Sequence, residues 1–259
     1  MVASYKYWKL ALEILSYPIL IILFTLLFTL EVIAPASNNN CDRRWLILAS
    51  ALGITQLVVS LLIGYVFKDW FYAHAIFPVN QETPAFLTGL SGFFISSFIF
   101  YWWHRAAHKS DFMWRTIHQL HHSPQRLEAL TAFYAHPLDS GFATLISCLS
   151  VYLILGSSSE SAAWAVLFTG LFNFYVHSDT RSPYWLGYII QRPEMHRLHH
   201  KRNHHANNYG LPIWDFLFGT YSNPEKDIKE LGFDTQRAER ISDMLRGVDV
   251  HSKAPDNIS

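Results

Sequence analysis

The sequence predicts an all-α integral membrane protein: four to five transmembrane helices, with a cytoplasmic histidine-rich cap for two metal ions. Three observations predict it. Of 259 residues, 51% are hydrophobic and only 15% charged, where a soluble domain carries about 25% charged residues. The apolar residues fall into runs long enough to cross a bilayer. Nine histidines gather just outside those runs, as three short clusters and one outlier. The net charge is +0, and no Lys/Arg tract interleaved with aromatics points to nucleic acid. Two cysteines, Cys41 and Cys148, make neither a disulfide framework nor a thiolate metal motif.

About 20 apolar residues span a bilayer as a helix. The first candidate runs from Leu10 to Ile33, with Glu13 near its start and Pro18 inside; neighbouring helices satisfy the backbone that such a proline frees. Its apolar run is too long for a signal peptide and lacks a small-x-small cleavage site, so it reads as a retained helix. The loop Pro35 to Asp42, with three consecutive asparagines, ends it. The second runs from Trp45 to Phe67. The third runs from Pro84 to Trp103, closing on Tyr101, Trp102 and Trp103, where aromatic belts belong. The fourth, Ser140 to Gly156, and the fifth, Ala162 to Val176, flank a turn at Ser157 to Glu160 and read as a helical hairpin. One re-entrant segment would reduce the count to four. The polar tail offers Asp234 or Thr235 as cap of a helix ending near Gly247, with Ala238, Ile241 and Leu245 on one face. The whole, 1–259, reads as one domain, with a core at 84–221 and a tail at 222–259.

Parity places the histidines. The third segment ends at His104, the fourth leaves from that side, and the fifth returns to it at His177. All nine therefore fall on one face of the membrane. Arg43, Arg44, Arg105, Lys109, Arg192 and Arg202 lie on that face, against Lys6, Lys9 and Lys68 on the other. Lys/Arg excess marks the cytoplasmic side.

The clusters are His104 and His108; His118, His121 and His122; and His196, His199 and His200, with His177 as the outlier. On a helix, residues i, i+3 and i+4 share a face, so each cluster can present its nitrogens to one point. Imidazole is the commonest neutral metal ligand. Nine exceed what one tetrahedral zinc needs and suit two ions. Alone, each cluster reads equally as interfacial or solvated histidine, and His177 as a core residue. Identical spacing on one side of the membrane favours ligands. His136 is open between ligand, outer partner and a residue positioning the next helix. His204 and His205 read as solvated, His74 lies on the far side and His251 in the tail. Metal-bound histidines donate their other N–H to an acceptor. Asp139, Asp179, Glu194 and Asp215 are placed for this, Glu128 less well, and ordinary surface charge is the plainer reading of each.

The motif order, HxxxH, HxxHH, lone His, HxxHH, resembles the fatty acid hydroxylase superfamily, which includes sterol desaturases, sterol C4-methyl oxidases, fatty acid 2-hydroxylases and alkylglycerol monooxygenase. Flanking residues carry the likeness too: Thr131-Ala132, His136-Pro137 and Asp139, then Asn208-Tyr209-Gly210, Trp214-Asp215 and Leu217-Phe218-Gly219-Thr220. It covers roughly Phe93 to Tyr221. The resemblance implies a non-haem di-iron centre held by His104, His108, His118, His121, His122, His177, His196, His199 and His200. That centre would use O₂ to attack an unactivated lipid C–H bond. Some members carry a histidine where this chain has Asn173, leaving that place to Asn173, a water or His136; Asp179 stands where many have Asn. The chain shows no dinucleotide fingerprint, Cys quartet or haem domain. Electrons are therefore expected from a separate ferredoxin or cytochrome b5-type donor with an NAD(P)H reductase, docking on the basic stretch Arg192 to Arg202.

Hydroxylation and desaturation are not separated by the sequence. A metal transporter would place its ligands at mid-membrane, and here they lie beyond the helix ends. A di-haem cytochrome needs axial histidines inside the bundle, and a zinc protease needs HExxH. Compactness and the missing fused donor domain favour a bacterial inner membrane over the endoplasmic reticulum.

Overall fold

The computed structural model of the chain describes residues 2–37, 43–80, 82–204 and 206–251, with side chains from residue 15. Cys41, the asparagines at 38–40 and His205 lie outside the described residues. Every apolar run is a helix. α1 is Val2–Ile33, α2 Arg43–Ala73 and α3 Ala85–Lys109. A short α4, Asp111–Met113, widens into a π-helical turn at Trp114–His118, and a 3₁₀ turn follows at Ala129–Phe133. α5 is Pro137–Cys148, continued as a π-helix over Leu149–Ile154; α6 is Ser159–His177. After a 3₁₀ turn at Tyr184–Tyr188 come α7, Pro193–His199, and α8, Pro212–Leu217. The tail adds α9, Thr235–Ala238, and α10, Ile241–Leu245. Among the described residues there is no β-strand, only one bridge between Lys201 and Leu231.

Among the described residues, three helices are long and apolar enough to cross a membrane: α2, α3 and the continuous Pro137–Ile154. The apolar part of α1, Pro18–Ile33, is shorter. α2 buries only Ala49 and Phe71 and leaves Ile54, Leu62 and Val66 more than half exposed, as a helix facing lipid does. α6 falls short of the hydropathy expected of a span. The reason is its place in the bundle, packed against α1, α3 and α7, where it needs small and polar residues more than a lipid-facing surface. A Cβ on Gly89 of α3 would stand 2.4 Å from the Cβ of Trp164 on α6, so the two backbones meet where only glycine fits. The turn before α6 is tighter than expected: Ser158 caps the helix by accepting from the Ser161 amide, and Ser159 and Glu160 are already helical.

The tail differs from its expected form. Asp234 does cap a helix, accepting from the Arg237 amide at 3.0 Å. That helix stops at Ala238, and a second begins at Ile241. The inward residue is Met244, fully buried, whereas Leu245 is 39% exposed. With the break, Met244 and Val250 join Ala49, Leu120, Leu130, Tyr134 and Phe233 in one apolar cluster.

Backbone bonds stitch the tail between the second and third histidine clusters. Arg202 N–H donates to Glu230, Gly232 to His200, and Phe233 to Ser123. Gln119, inside the second cluster, donates to the carbonyls of Arg115 and Val248 and accepts from the Val250 amide.

Gly232 sits at φ +62, and a Cβ there would meet the Pro124 carbonyl oxygen at 2.1 Å. Gly232→Ala is expected to cost at least about 1–3 kcal/mol. Thermal unfolding in detergent checks this; an unchanged melting temperature would mean that the stitch is not needed.

Candidate metal centre

Nine imidazoles converge in two groups. His104, His108, His118, His122 and His199 form one, and His121, His177, His196 and His200 the other; within each group the potential ligand atoms all lie within 4.8 Å of one another. Eight of the nine are buried, with only His108 partly exposed. Nε2 atoms meet at 3.1 Å between His108 and His118 in the first group. In the second they meet at 3.3 Å for His121–His177, 3.0 Å for His177–His196 and 3.1 Å for His196–His200. Two imidazoles at right angles on one ion, with bonds of about 2.1 Å, have nitrogens about 3.0 Å apart.

Here the expectation that each cluster serves one point needs correcting. Only His104 and His108, on the last turns of α3, stay together. The second cluster lies on the π-turn and the hydrogen-bonded turns after it. It gives His118 and His122 to the five-membered group and His121 to the four-membered one. The third cluster does the reverse, giving His196 and His200 to the four and His199 to the five. The i, i+4 pair and the intervening residue leave the backbone in different directions, so one short segment bridges both groups.

The outward nitrogens decide which way the rings face. Nδ1 of His104 donates to the Tyr209 carbonyl at 2.7 Å, His121 to Tyr134 at 3.2 Å, His177 to Asn173 at 2.8 Å and His199 to Asn207 at 2.8 Å. His118 donates to the Asp139 carboxylate at 2.8 Å, which also accepts from the Trp103 indole. Each such bond fixes the tautomer and leaves the Nε2 lone pair inward. Sequence reasoning missed the carbonyls of Tyr134, Asn207 and Tyr209. Their one signal is the asparagine-rich stretch before Tyr209: Asn207 takes φ 68 and Asn208 φ 55, a left-handed backbone that asparagine adopts more readily than most residues.

Of the candidate carboxylates, Asp139 bonds a ring directly. Asp215 acts at one remove. Its carboxylate accepts from the amides of Tyr209 (2.9 Å) and Gly210 (3.3 Å) and from the Thr220 hydroxyl. The peptide between Tyr209 and Gly210 thus has its N–H on a carboxylate and its carbonyl on His104. Burial pushes Asp215 up to about 6, which still leaves it ionised at neutral pH. Asn173 contributes its backbone carbonyl to His177.

Asp179 and Glu194 do not reach an imidazole. Asp179 accepts from the amide and hydroxyl of Ser37. Glu194 binds Ser182 and pairs with Arg192 and Arg197. Glu128 holds the Trp45 indole and Arg126. His136 accepts from the Leu138 amide through Nδ1 and donates to the Leu245 carbonyl through Nε2, so it positions the start of α5 and has no lone pair left for a metal.

His74 stacks on Trp70, His204 meets the Asn207 side chain, and His251 packs on Phe233. In the basic stretch Arg192 to Arg202 expected to dock a donor, Lys201 is exposed and Arg202 half-buried, but two of the arginines are not at the surface. Arg192 and Arg197 are 4% and 3% exposed and locked in ion pairs.

The residues fit metal ions. Nε2 of His104 and of His199 is buried with no hydrogen-bond partner, an arrangement that costs roughly 1–3 kcal/mol per atom unless something coordinates it. Burial holds His121, His122, His196, His199 and His200 well below the usual imidazole value of 6.5, so they are neutral and lone-pair-bearing at pH 7. Trp114 packs over His108 and His122, and Tyr209 against His104, His108 and His199. These rings wall the five-membered group from water.

The helical bundle thus combines helices long and apolar enough to cross a membrane with two all-imidazole groups that could each hold a metal ion. Residues 89–220 match the fatty acid hydroxylase family profile, half of the chain, and the chain belongs to that family. It is 34% identical over 159 residues to an ornithine lipid hydroxylase of Rhizobium tropici, covering 59% of this chain and 47% of that one. It is 30% identical over 141 residues to an alkylglycerol monooxygenase of Caenorhabditis elegans, covering 52% and 27%. Against a sphingolipid C4-hydroxylase of Schizosaccharomyces pombe it is 28% identical over 153 residues, covering 57% and 52%. The chain thus matches from about a quarter to about half the length of these relatives. No solved structure matches it.

Two predictions follow from the geometry. Asp139→Asn and Asp215→Asn should each weaken metal retention against a chelator by about 10–100-fold, while Asp179→Asn should not. Equal loss in all three would defeat the assignment of outer partners. In the second, acid acts on the buried neutral imidazoles. Their folded values lie below the unfolded value, so the unfolded chain takes up protons first and stability falls as pH drops below about 6.5. Metal-free protein should melt progressively lower between about pH 7 and pH 5; a flat profile would contradict neutral burial.

Proposed function

We propose that the chain is a membrane lipid hydroxylase whose nine imidazoles hold two iron ions. The observation that carries this is the paired groups of closely packed imidazoles, of which His104, His118, His121, His177 and His199 are aimed inward by acceptors on their outer nitrogens. Imidazole serves iron, zinc, copper and nickel alike. Inserting oxygen from O₂ into a C–H bond requires a metal that changes oxidation state, which zinc does not. When bound, the metal pair supplies O₂ activation: R–H, O₂, two electrons and two protons give R–OH and water.

The chain's own residues do the rest. His104, His118, His121, His177 and His199 keep fixed tautomers. Asp139 holds the His118 ring by its Nδ1–H, and Asp215 holds the peptide whose carbonyl orients His104. Trp114 and Tyr209 keep water from the five-membered group. His121, His177, His196 and His200 would hold one ion and the five-membered group the other. The substrate is a membrane lipid, in keeping with the relatives' names, and the two electrons come from a separate donor protein. The relatives are hydroxylases and monooxygenases, which favours oxygen insertion over desaturation.

Elemental analysis of the purified protein, with mass spectrometry of lipids after turnover with a reductase system, tests this. The expectation is two irons per chain and a lipid product heavier by one oxygen atom. His199→Ala, in the five-membered group, and His121→Ala, in the four-membered one, should each lower iron content and abolish product. A single metal that survives both substitutions would overturn the reading. Zinc alone would call for reloading with iron, and product that still failed to form would then overturn it.

A further inference from the structure

The 3₁₀ turn at Tyr184–Tyr188 and helix α8 carry a group of large apolar side chains outside the span-long helices. Trp185, Tyr188, Ile189, Ile213, Phe216 and Leu217 are 49–68% exposed. Tyr188 and Phe216 lie parallel at 6.5 Å, and Phe216 stacks on Tyr221 at 3.8 Å, so the two segments form one ledge. A contiguous apolar surface of this kind is uncommon in water and marks an interaction site.

Its neighbours say what covers it. Trp214 of α8 donates its indole N–H to Ser97 of α3 at 3.0 Å and packs on Phe98 at 5.0 Å. Ser97 lies seven residues before His104, so α8 sits about 10 Å below the metal centre along α3, at 1.5 Å per residue. On α3 itself Phe94, Phe98 and Trp102 are exposed, continuing the ledge along a helix of span length. Above them Arg105 lies over the Trp102 ring at 5.5 Å and donates to the Phe218 carbonyl, and Lys109 follows one turn on. Exposed chemistry along this face thus runs from phenyl to indole to cation, the order of acyl chain, interface and headgroup in a leaflet.

We infer that the ledge formed by residues 184–189 and α8 is sunk into one leaflet of the bilayer, at the boundary between acyl chains and headgroups. Short apolar segments flanked by cations lie in that plane. The inner face of α8 carries Asp215, which grips Tyr209 and Gly210. One short helix therefore joins the leaflet to the backbone that orients His104, and seats the metal centre directly on its lipid supply. The inference deepens the lipid-hydroxylase reading but rests on membrane insertion alone, independent of any metal.

The test is nitroxide accessibility in vesicles of phosphatidylcholine and phosphatidylglycerol, with Cys41→Ser and Cys148→Ala as background. Single labels go at Leu217→Cys and Ile189→Cys on the ledge, at Leu62→Cys on the lipid-facing side of α2, and at Lys229→Cys on the exposed tail. The expected result is collision with O₂ severalfold greater, relative to a nickel chelate, at positions 217 and 189 than at 229, approaching position 62. Nickel access at 217 and 189 equal to that at 229 would put the ledge in water and overturn the inference. Protection from both reagents would mean a protein cover, such as a second copy, and would overturn it equally. A water-exposed label at 62 would instead defeat the membrane reading itself.

Discussion

Nine imidazoles can share one small volume at neutral pH only if they are uncharged. Burial ensures this for His121, His122, His196, His199 and His200 by disfavouring the protonated form, and it also takes water away from their ring nitrogens. Most of the fold serves to satisfy those nitrogens. Inward Nε2 atoms face one another at metal-ligand separations, and the outward Nδ1 atoms of His104, His118, His121, His177 and His199 donate to a carbonyl or a carboxylate. His104 on α3 depends on Tyr209, 105 residues away, and His118 on Asp139 at the start of α5.

That dependence explains the role of polar segments between the hydrophobic helices. Gln119 is held by the tail, and the tail's residues 230–233 are bonded to both HxxHH segments. The left-handed asparagines at 207 and 208 turn the chain so that one carbonyl meets His199. The Tyr209 carbonyl, two residues on from Asn207, meets His104. Asp215 then ties that turn to α8. The histidines are local in sequence, while the groups that orient them are not.

The bundle beneath is arranged around α6, whose end delivers His177. Packed on three sides, it carries Ser, Thr, Asn and Gly where an isolated span would carry Leu and Ile. The lipid-facing work falls to α2, α3 and the Pro137–Ile154 helix. The apolar ledge beside α3 extends that lipid-facing surface into the histidine-bearing layer.

The sequence by itself determined the helices, because run length and hydropathy are local quantities, and it determined which nine histidines come together, because spacing and membrane parity restrict them to one side. It named Asp139 and Asp215 only together with Asp179 and Glu194. Only the tertiary structure decided how the nine divide, since side-chain direction on a π-turn is not encoded by i, i+4 counting. The same holds for the acceptors: a backbone carbonyl has no residue signature, so Tyr134, Asn207 and Tyr209 were invisible, while Asp179 and Glu194 looked equally suitable yet point elsewhere. Arg192 and Arg197 read as surface charge until the structure buried them against Glu194 and Asp227. The break between α9 and α10 was set by the place available for Met244 beneath the second cluster, a long-range constraint that no local propensity carries.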